Sequence, residues 1–221
     1  MSAKPNLLSQ ARYLRAVHLP TQLPVDDGVE IAIAGRSNAG KSSAINAICD
    51  VGKLARTSKT PGRTQQLVYF EVAPQRFLVD LPGYGYAEVP SALRQHWRGL
   101  IDGYLRERAS LRGLLLVMDI RHPLREFDRL MLDYAMARGM PVHILLTKAD
   151  KLPRGQQAKA LQAVRNALSE VPVGVQLFSS ARPLGVDEAR AWLVSTRGVG
   201  GTPGLAGRPD IEFLSAVSSR R

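Results

Sequence analysis

The stretch Gly35-Arg36-Ser37-Asn38-Ala39-Gly40-Lys41-Ser42-Ser43 constrains this chain more than any other. An apolar run from Val29 to Ala34, broken only by Glu30, precedes it. Ala44, Ile45, Ala47 and Ile48 follow it at helical spacing. Strand, glycine-rich turn and helix start are the setting that a G-x-x-x-x-G-K-[ST] phosphate-binding loop requires. The two glycines let the backbone turn tightly with its N–H groups inward, where a side chain would obstruct the phosphates. The helix N-terminus adds partial positive charge. In that setting Lys41 neutralises the β- and γ-phosphates, and the Ser42 hydroxyl is one ligand of a Mg²⁺ ion. The plainer reading, a glycine-rich turn capped by Ser42, has the flanking strand and helix against it. The loop specifies a nucleoside triphosphate, and neither its base nor the work it drives.

The rest of the chain alternates strand and helix signals. Residues 1–28 are polar and punctuated by Pro5, Pro20 and Pro24, and Leu7, Leu8, Ala11, Tyr13 and Leu14 fit a short amphipathic helix. A first strand is expected at about 29–34 and a first helix at about 41–50. Residues 51–65 carry Gly52, Pro61 and Gly62 among Lys and Arg with no apolar period, which reads as a long loop, functional or mobile. Residues 67–72 and 76–80, separated by Pro74 and Gln75, read as an antiparallel hairpin. A second loop, 81–90, leads to a helix with Ser91 as N-cap and Leu93, Trp97, Leu100, Ile101, Tyr104 and Leu105 as its apolar stripe. Buried strands follow at 113–118, 142–146 and 173–178. Helices are marked by Phe127, Leu130 and Tyr134, by Ala158, Leu161 and Val164 (with Arg165 on the apolar face), and by Val186, Ala189, Trp192 and Leu193. The pattern predicts an α/β fold: a mostly parallel six-stranded sheet with one antiparallel hairpin and helices on both faces. Residues 1–28 form an extension, 29–197 the domain, and the Gly/Pro-rich 198–221 a flexible tail.

Ligands of such sheets bind beyond the carboxyl ends of the strands, and three more strand ends carry suitable chemistry. The strand at 76–80 ends in Asp80-Leu81-Pro82-Gly83. Its aspartate can hold Mg²⁺ through water, and the Gly83 N–H can donate to a γ-phosphate. The strand at 142–146 runs into Thr147-Lys148-Ala149-Asp150. A carboxylate there can accept both the N1–H and the N2 amine of guanine, whereas adenine would leave it unpaired. The Lys148 stem can cover base and loop. Phe178-Ser179-Ser180-Ala181 follows the last strand, where a backbone N–H can reach guanine O6. Thr64 is placed to complete the Mg²⁺ shell and sense the γ-phosphate, so that its loop orders with triphosphate and relaxes after hydrolysis. Thr57 and Thr60 are its rivals by position.

Charge bears on the partner. The 221 residues hold 30 Lys+Arg against 19 Asp+Glu, a formal charge of +11, which points to RNA, DNA or an anionic membrane. The alternative is a protein that is merely basic. The single cysteine, Cys49, excludes an intrachain disulfide and suits a reducing compartment, and its apolar neighbours suggest core packing. No run approaches the roughly 18 apolar residues of a membrane span, and the N-terminus lacks a signal-peptide layout, so a cytoplasmic protein is expected. His18, His96, His122 and His143 share no metal-ligand spacing. Trp97 and Trp192 sit on helical stripes as core residues, and Tyr84 and Tyr86 are better placed for partner contact.

The set Gly35-x4-Gly40-Lys41-Ser42, Thr64, Asp80-x2-Gly83, Thr147-Lys148-x-Asp150 and Ser179-Ser180-Ala181 resembles the five motifs of a P-loop GTPase domain. Finer features resemble the EngB family of bacterial ribosome-assembly GTPases, within the Era-like group. These are Gly35 to Ser43, Thr60-Pro-Gly-Arg-Thr-Gln65, Asp80-Leu-Pro-Gly-Tyr-Gly-Tyr-Ala87 and Asp119-Ile-Arg-His-Pro123. The resemblance covers about residues 7 to 195. It implies GTP and GDP binding with slow hydrolysis, Mg²⁺, a monomer that associates with the large ribosomal subunit and its rRNA, and a link to cell division and septation. It also implies contacts to nucleotide from Arg36, Ser37, Asn38, Ala39, Gly62, Arg63 and Gln65.

Hydrolysis in such a site is positioning plus charge stabilisation. Many GTPases place a glutamine directly after the D-x-x-G glycine to orient water; here Tyr84 stands there, so a slow intrinsic rate is expected. Asn38 is one candidate for the missing part, because in Era-like relatives an asparagine at this position helps hold a K⁺ ion; the alternative is that it shapes the loop. Arg63 can act in cis or contact RNA. Lys41, Thr64 and Asn38 are thus the candidate catalytic residues. The rival functions are a GTP-gated RNA-binding placeholder with incidental turnover, and a P-loop ATPase or kinase, which Asp150 disfavours.

Overall fold

Apolar residues on both parities of the central strands need cover on both faces of a sheet, and they receive it. A computed structural model of the chain describes residues 6–55, 66–83 and 91–196, with the backbone alone for residues 91–98. Among the described residues seven strands form one sheet. They are β1 (Arg12–Val17), β2 (Val29–Gly35), β3 (Leu67–Ala73), β4 (Arg76–Asp80), β5 (Leu111–Asp119), β6 (Val142–Thr147) and β7 (Val173–Leu177), in the order β1-β3-β4-β2-β5-β6-β7. The helices are α1 (Lys41–Cys49), α2 (Ser91–Glu107), α3 (Glu126–Ala137), α4 (Arg154–Ala167) and α5 (Val186–Thr196).

The strand period of two sorts the core into layers. Ile31 and Ile33 of β2, Leu115 and Val117 of β5 and Leu145 of β6 pack with Ala44, Ile45 and Ile48 of α1 and with Ala189 and Leu193 of α5. Their neighbours Ala32, Ala34, Leu114, Leu116, Ile144 and Leu146 face the other way, onto Tyr104 of α2, Met131 of α3 and Val164 of α4. Each fully buried Leu or Ile contributes about 1.5–3 kcal/mol relative to exposure. Cys49 is buried in the first layer, as its neighbours imply. Arg165, expected on the apolar face of α4, is instead exposed, and its Nη2 donates to the Val175 carbonyl at 3.0 Å.

Two expectations change. Residues 7–14 do not form an amphipathic helix: a short 3-10 turn at Leu7–Gln10 is followed by β1, and the sheet has seven strands instead of six. β1 runs antiparallel to β3, which is antiparallel to β4, so the hairpin is flanked on its outer side by the N-terminal segment. Backbone pairing along β3 outweighs the weak helical period. Leu8, fully buried in the α1 layer, fixes where the segment enters. The remaining pairings, β2 with β4 and β5, β5 with β6 and β6 with β7, are parallel.

At the start of β2 lies a buried polar cluster. Glu30 is fully buried; its Oε1 accepts from Arg108 Nε at 3.0 Å and Nη2 at 2.6 Å, and its Oε2 from Tyr104 Oη at 2.9 Å and Tyr69 Oη at 3.2 Å. Burial, then the Glu30 charge, pushes both tyrosine hydroxyls above their ordinary range. The one charged residue in the apolar run of β2 is thus a satisfied structural group. The tail from residue 198, and Thr57, Thr60, Tyr84 and Tyr86, lie outside the described residues, as do the side chains of His96 and Trp97.

Candidate functional site

Parallel pairing brings the carboxyl ends of β2, β4, β5, β6 and β7 to one edge, with Ile33 in register with Asp80, Asp119 with Thr147 and Leu146 with Leu177. This is the crevice where open α/β sheets bind ligands. The loop after β2 is closed by Ala39 N–H donating to the Arg36 carbonyl at 3.0 Å, and α1 starts with Ala44 N–H on the Gly40 carbonyl at 2.9 Å. Gly40 has φ 93°, a conformation that favours glycine. Gly35 is required for a different reason from the one expected: a Cβ there would lie 2.6 Å from the Val117 carbonyl oxygen, so it is β5, packed close, that excludes a side chain. Asn38 is exposed at φ 60°, a left-handed geometry that asparagine tolerates, which gives its loop-shaping role an observation.

Lys41 Nζ pairs with Asp80 Oδ1, and each side chain is about a tenth exposed. Burial pushes the Asp80 carboxyl up from its ordinary range, with Lys41 opposing that shift. Leu81 and Pro82 are buried, Leu81 N–H donating to the Ile33 carbonyl at 3.0 Å. Gly83 lies against the loop, since a Cβ on it would be 3.2 Å from the Ser37 backbone nitrogen. Ser42 is half-buried in the first turn of α1, and Arg36 and Ser37 are half-buried at the loop's shoulder. Among the described residues no three His, Cys, Asp or Glu side chains gather as a metal cage. The Ser42 hydroxyl and the nearly buried Asp80 carboxylate beside Lys41 make a donor set that suits Mg²⁺, which usually keeps waters and draws on substrate phosphates. The residues present fit that ion.

On the other side of the crevice, Thr147 Oγ1 lies 2.5 Å from the Ala39 carbonyl and 3.0 Å from that of Met118; its one proton serves either. Thr147 therefore straps the loop after β6 to the phosphate loop, a role the sequence motif did not disclose. Lys148, at φ 58°, donates from Nζ to the Asn38 carbonyl at 2.6 Å, so its stem spans the loop as expected. Ala149 is fully buried with its N–H on the Phe178 carbonyl at 3.1 Å, and Phe178 N–H in turn reaches the Leu146 carbonyl at 2.9 Å. Asp150 Oδ1 accepts from Ser179 Oγ at 2.6 Å. That bond holds the carboxyl below its ordinary range against a smaller opposing effect of burial. Ser179 is buried and Ser180 exposed.

The strand ends thus bring together Gly35 to Ser42, Asp80 to Gly83, Thr147 to Asp150 and Phe178 to Ser180. Gly62, Arg63, Thr64 and Gln65 lie outside the described residues. Sequence reasoning gave no role to Asp119, whose carboxylate meets Lys148 Nζ at 3.0 Å and Arg121 Nη2 at 2.6 Å. Its signal was its place as the last residue of a buried strand at the edge where the motifs gather. Of the histidines, His18 and His122 are exposed. His143 is buried, 2.7 Å from Gln176 Oε1 and stacked on Trp192.

Comparison with known proteins agrees with this geometry. The profile of the 50S ribosome-binding GTPases matches residues 30–148. A probable GTP-binding protein EngB of Stenotrophomonas maltophilia is 59% identical over 187 residues, 83% of this chain and 94% of that protein. One from Xanthomonas axonopodis pv. citri is 56% identical over 206 residues, 92% and 94% of the two chains. Among solved structures, a probable GTP-binding protein engB superposes with a TM-score of 0.62 at 20% identity over 76% of this chain and 98% of the other. Aquifex aeolicus Era bound to GDP·AlF4⁻ gives 0.61 at 19% identity over 76% and 56%. At such identities the two structures speak to the fold alone.

Proposed function

The chain belongs to the EngB family of 50S ribosome-binding GTPases, and from that premise we propose that it is a GTP-hydrolysing switch acting in assembly of the large ribosomal subunit. The observation that carries the reading is the Ser179–Asp150 bond, which holds a carboxylate ionised beside a loop tied through Thr147 and Lys148 to the phosphate loop. In this reading Asp150 accepts the guanine N1–H and N2 amine, and an N–H of the 178–180 segment serves O6. Lys41 exchanges Asp80 for the β- and γ-phosphates, freeing that carboxylate for the metal side of the site. Ser42, Asp80 and Thr64 are the proposed Mg²⁺ ligands, and the ion when bound would offset charge developing on the phosphates. Gly83, which lies against Ser37 of the phosphate loop, would donate its N–H to the γ-phosphate. Asn38 with K⁺ supplies the charge that an arginine finger would, at a slow rate set by Tyr84 in the glutamine position.

The +11 charge supports an rRNA partner. The single buried cysteine suits the reducing cytoplasm, and the resemblance to the family extends the reading to a monomer and to a role in normal cell division and septation. No described helix is long and apolar enough to cross a membrane. Residues 29–197 carry the nucleotide work, with 1–28 as an extension that adds β1 to the edge of the sheet and 198–221 as a tail.

Sedimentation with ribosomal subunits under GDP, GTP and a non-hydrolysable analogue, across a salt series, tests the proposal. Nucleotide-dependent, salt-weakened binding to the large subunit is expected, and equal binding under all three nucleotides would overturn it. Tyr84 favours one second reading, a GTP-gated placeholder with incidental turnover. Single-turnover hydrolysis that large subunits fail to stimulate would select it.

A further inference from the structure

Asp119, the last residue of β5, divides one carboxylate between two cations. Arg121 grips it with Nε at 2.9 Å from Oδ1 and Nη2 at 2.6 Å from Oδ2, while Lys148 Nζ lies 3.0 Å from Oδ2. The carboxylate is 14% exposed and the guanidinium 44%. Although burial acts the other way, the hydrogen bonds from Arg121 and Lys148 hold the Asp119 carboxyl far below its ordinary range, so it is charged. The ammonium it holds is the one that donates to the Asn38 carbonyl at 2.6 Å. A lysine side chain is long and rotamer-rich, and the left-handed backbone at Lys148 does not by itself aim it across the phosphate loop. A second, charged partner for the ammonium does.

We propose that Asp119 is a positioning residue of the nucleotide site, fixing Lys148 across the phosphate loop, and that Arg121 is the exposed competitor that weakens its hold. The proposal rests on the reading that Thr147 to Asp150 take a guanine base. A lysine held on both Asp119 and the Asn38 carbonyl makes the base loop and the phosphate loop one unit, which slows nucleotide release. Arg121 occupies both oxygens of the same carboxylate and so draws off part of the charge that Lys148 feels.

Removing the Asp119 charge and removing Arg121 predict different outcomes, which loop damage would not produce. Asp119→Asn keeps Oδ1 as acceptor for the Arg121 backbone N–H, now at 3.1 Å, and so preserves the turn while removing the charge. Release of a fluorescent GDP, chased with excess unlabelled GDP, should speed up roughly tenfold in Asp119→Asn, the size expected for losing a charge-assisted hydrogen bond. Arg121→Gln should release no faster than the parent, and the double variant should release like Asp119→Asn, because Arg121 acts only through Asp119. Release from Asp119→Asn within twofold of the parent would overturn the proposal. So would acceleration by both single variants, or a double variant that departs from Asp119→Asn. A parent without preference for GDP over ADP would remove the guanine assignment itself, whereas a guanine-selective parent with unaltered release in Asp119→Asn removes only the role of Asp119.

Discussion

Ser179, in the segment after β7, donates its hydroxyl proton to Asp150, in the segment after β6, at 2.6 Å. The same oxygen accepts from Arg182 N–H at 3.2 Å, and the Ser179 backbone bridges to Leu184. Two loops from neighbouring strands therefore share one buried hydroxyl, and the carboxylate is oriented before any ligand arrives.

Ser179→Ala should weaken GDP binding about tenfold, because a hydrogen bond to a charged group is worth about 1.5–3 kcal/mol; titration calorimetry checks it. The bond also sets a pH dependence. With the Asp150 carboxyl lowered from its ordinary 3.8, its charge is complete above that value and is lost only as pH falls through the lowered one. Ser179→Ala should move that loss upward towards 3.8. Asp150→Asn should shift preference from GTP towards XTP, and unchanged GTP affinity would contradict the guanine assignment.

At the other end of β2, Arg108→Met strips the buried Glu30 of its guanidinium and should cost about 3–5 kcal/mol in urea unfolding, the loss typical of a broken buried pair. Tyr104→Phe removes one hydrogen bond to the same carboxylate and should cost about 1–3 kcal/mol. GDP affinity of the folded variants should be retained, since Glu30 and the phosphate loop occupy opposite ends of the strand.

Burial lowers the His143 pKa below its ordinary 6.5, outweighing the hydrogen bond to Gln176 Oε1 and the charge of Glu188. The unfolded chain then binds more protons than the folded one as pH falls below about 6.5. Stability should be complete above that pH and decline below it, until the folded value is passed. Urea unfolding between pH 8 and 5 measures the slope, and His143→Gln should flatten it.

If Asn38 helps hold K⁺, GTP turnover should be faster in K⁺ than in Na⁺, and Asn38→Ala should abolish the difference. Equal rates for the parent in the two salts would leave Asn38 only its left-handed place in the loop.

Much of this was legible in the sequence because it is carried by local spacing. Gly40 and Lys41 announce a turn and a helix start, and the apolar runs of β5 and β6 announce buried strands. The N-terminal strand was not legible. Arg12 to Val17 has no strong alternation of its own, and its structure is decided by the exposed edge of β3, more than fifty residues away. Nor were the polar contacts that cross the site. Thr147 reaching Ala39, and Asp119 reaching Lys148, depend on strand register, which a linear spacing does not contain. Glu30 looked like an interruption of β2 because its partners come from β3, α2 and the residue just after α2.

The parallel pairings of β2 give the molecule a timetable. Its register partners lie in β4 and β5, and the Thr147 hydroxyl reaches Ala39 across 108 residues of sequence. At roughly 5–20 residues per second, a ribosome needs about 5–20 s to deliver Thr147 after Ala39. Throughout that interval the nascent chain carries the complete phosphate-loop sequence without the Thr147 strap, although β4 and β5 are made before the interval ends. The segment that ties the phosphate loop down is thus delivered only after about two thirds of the 221 residues have been made.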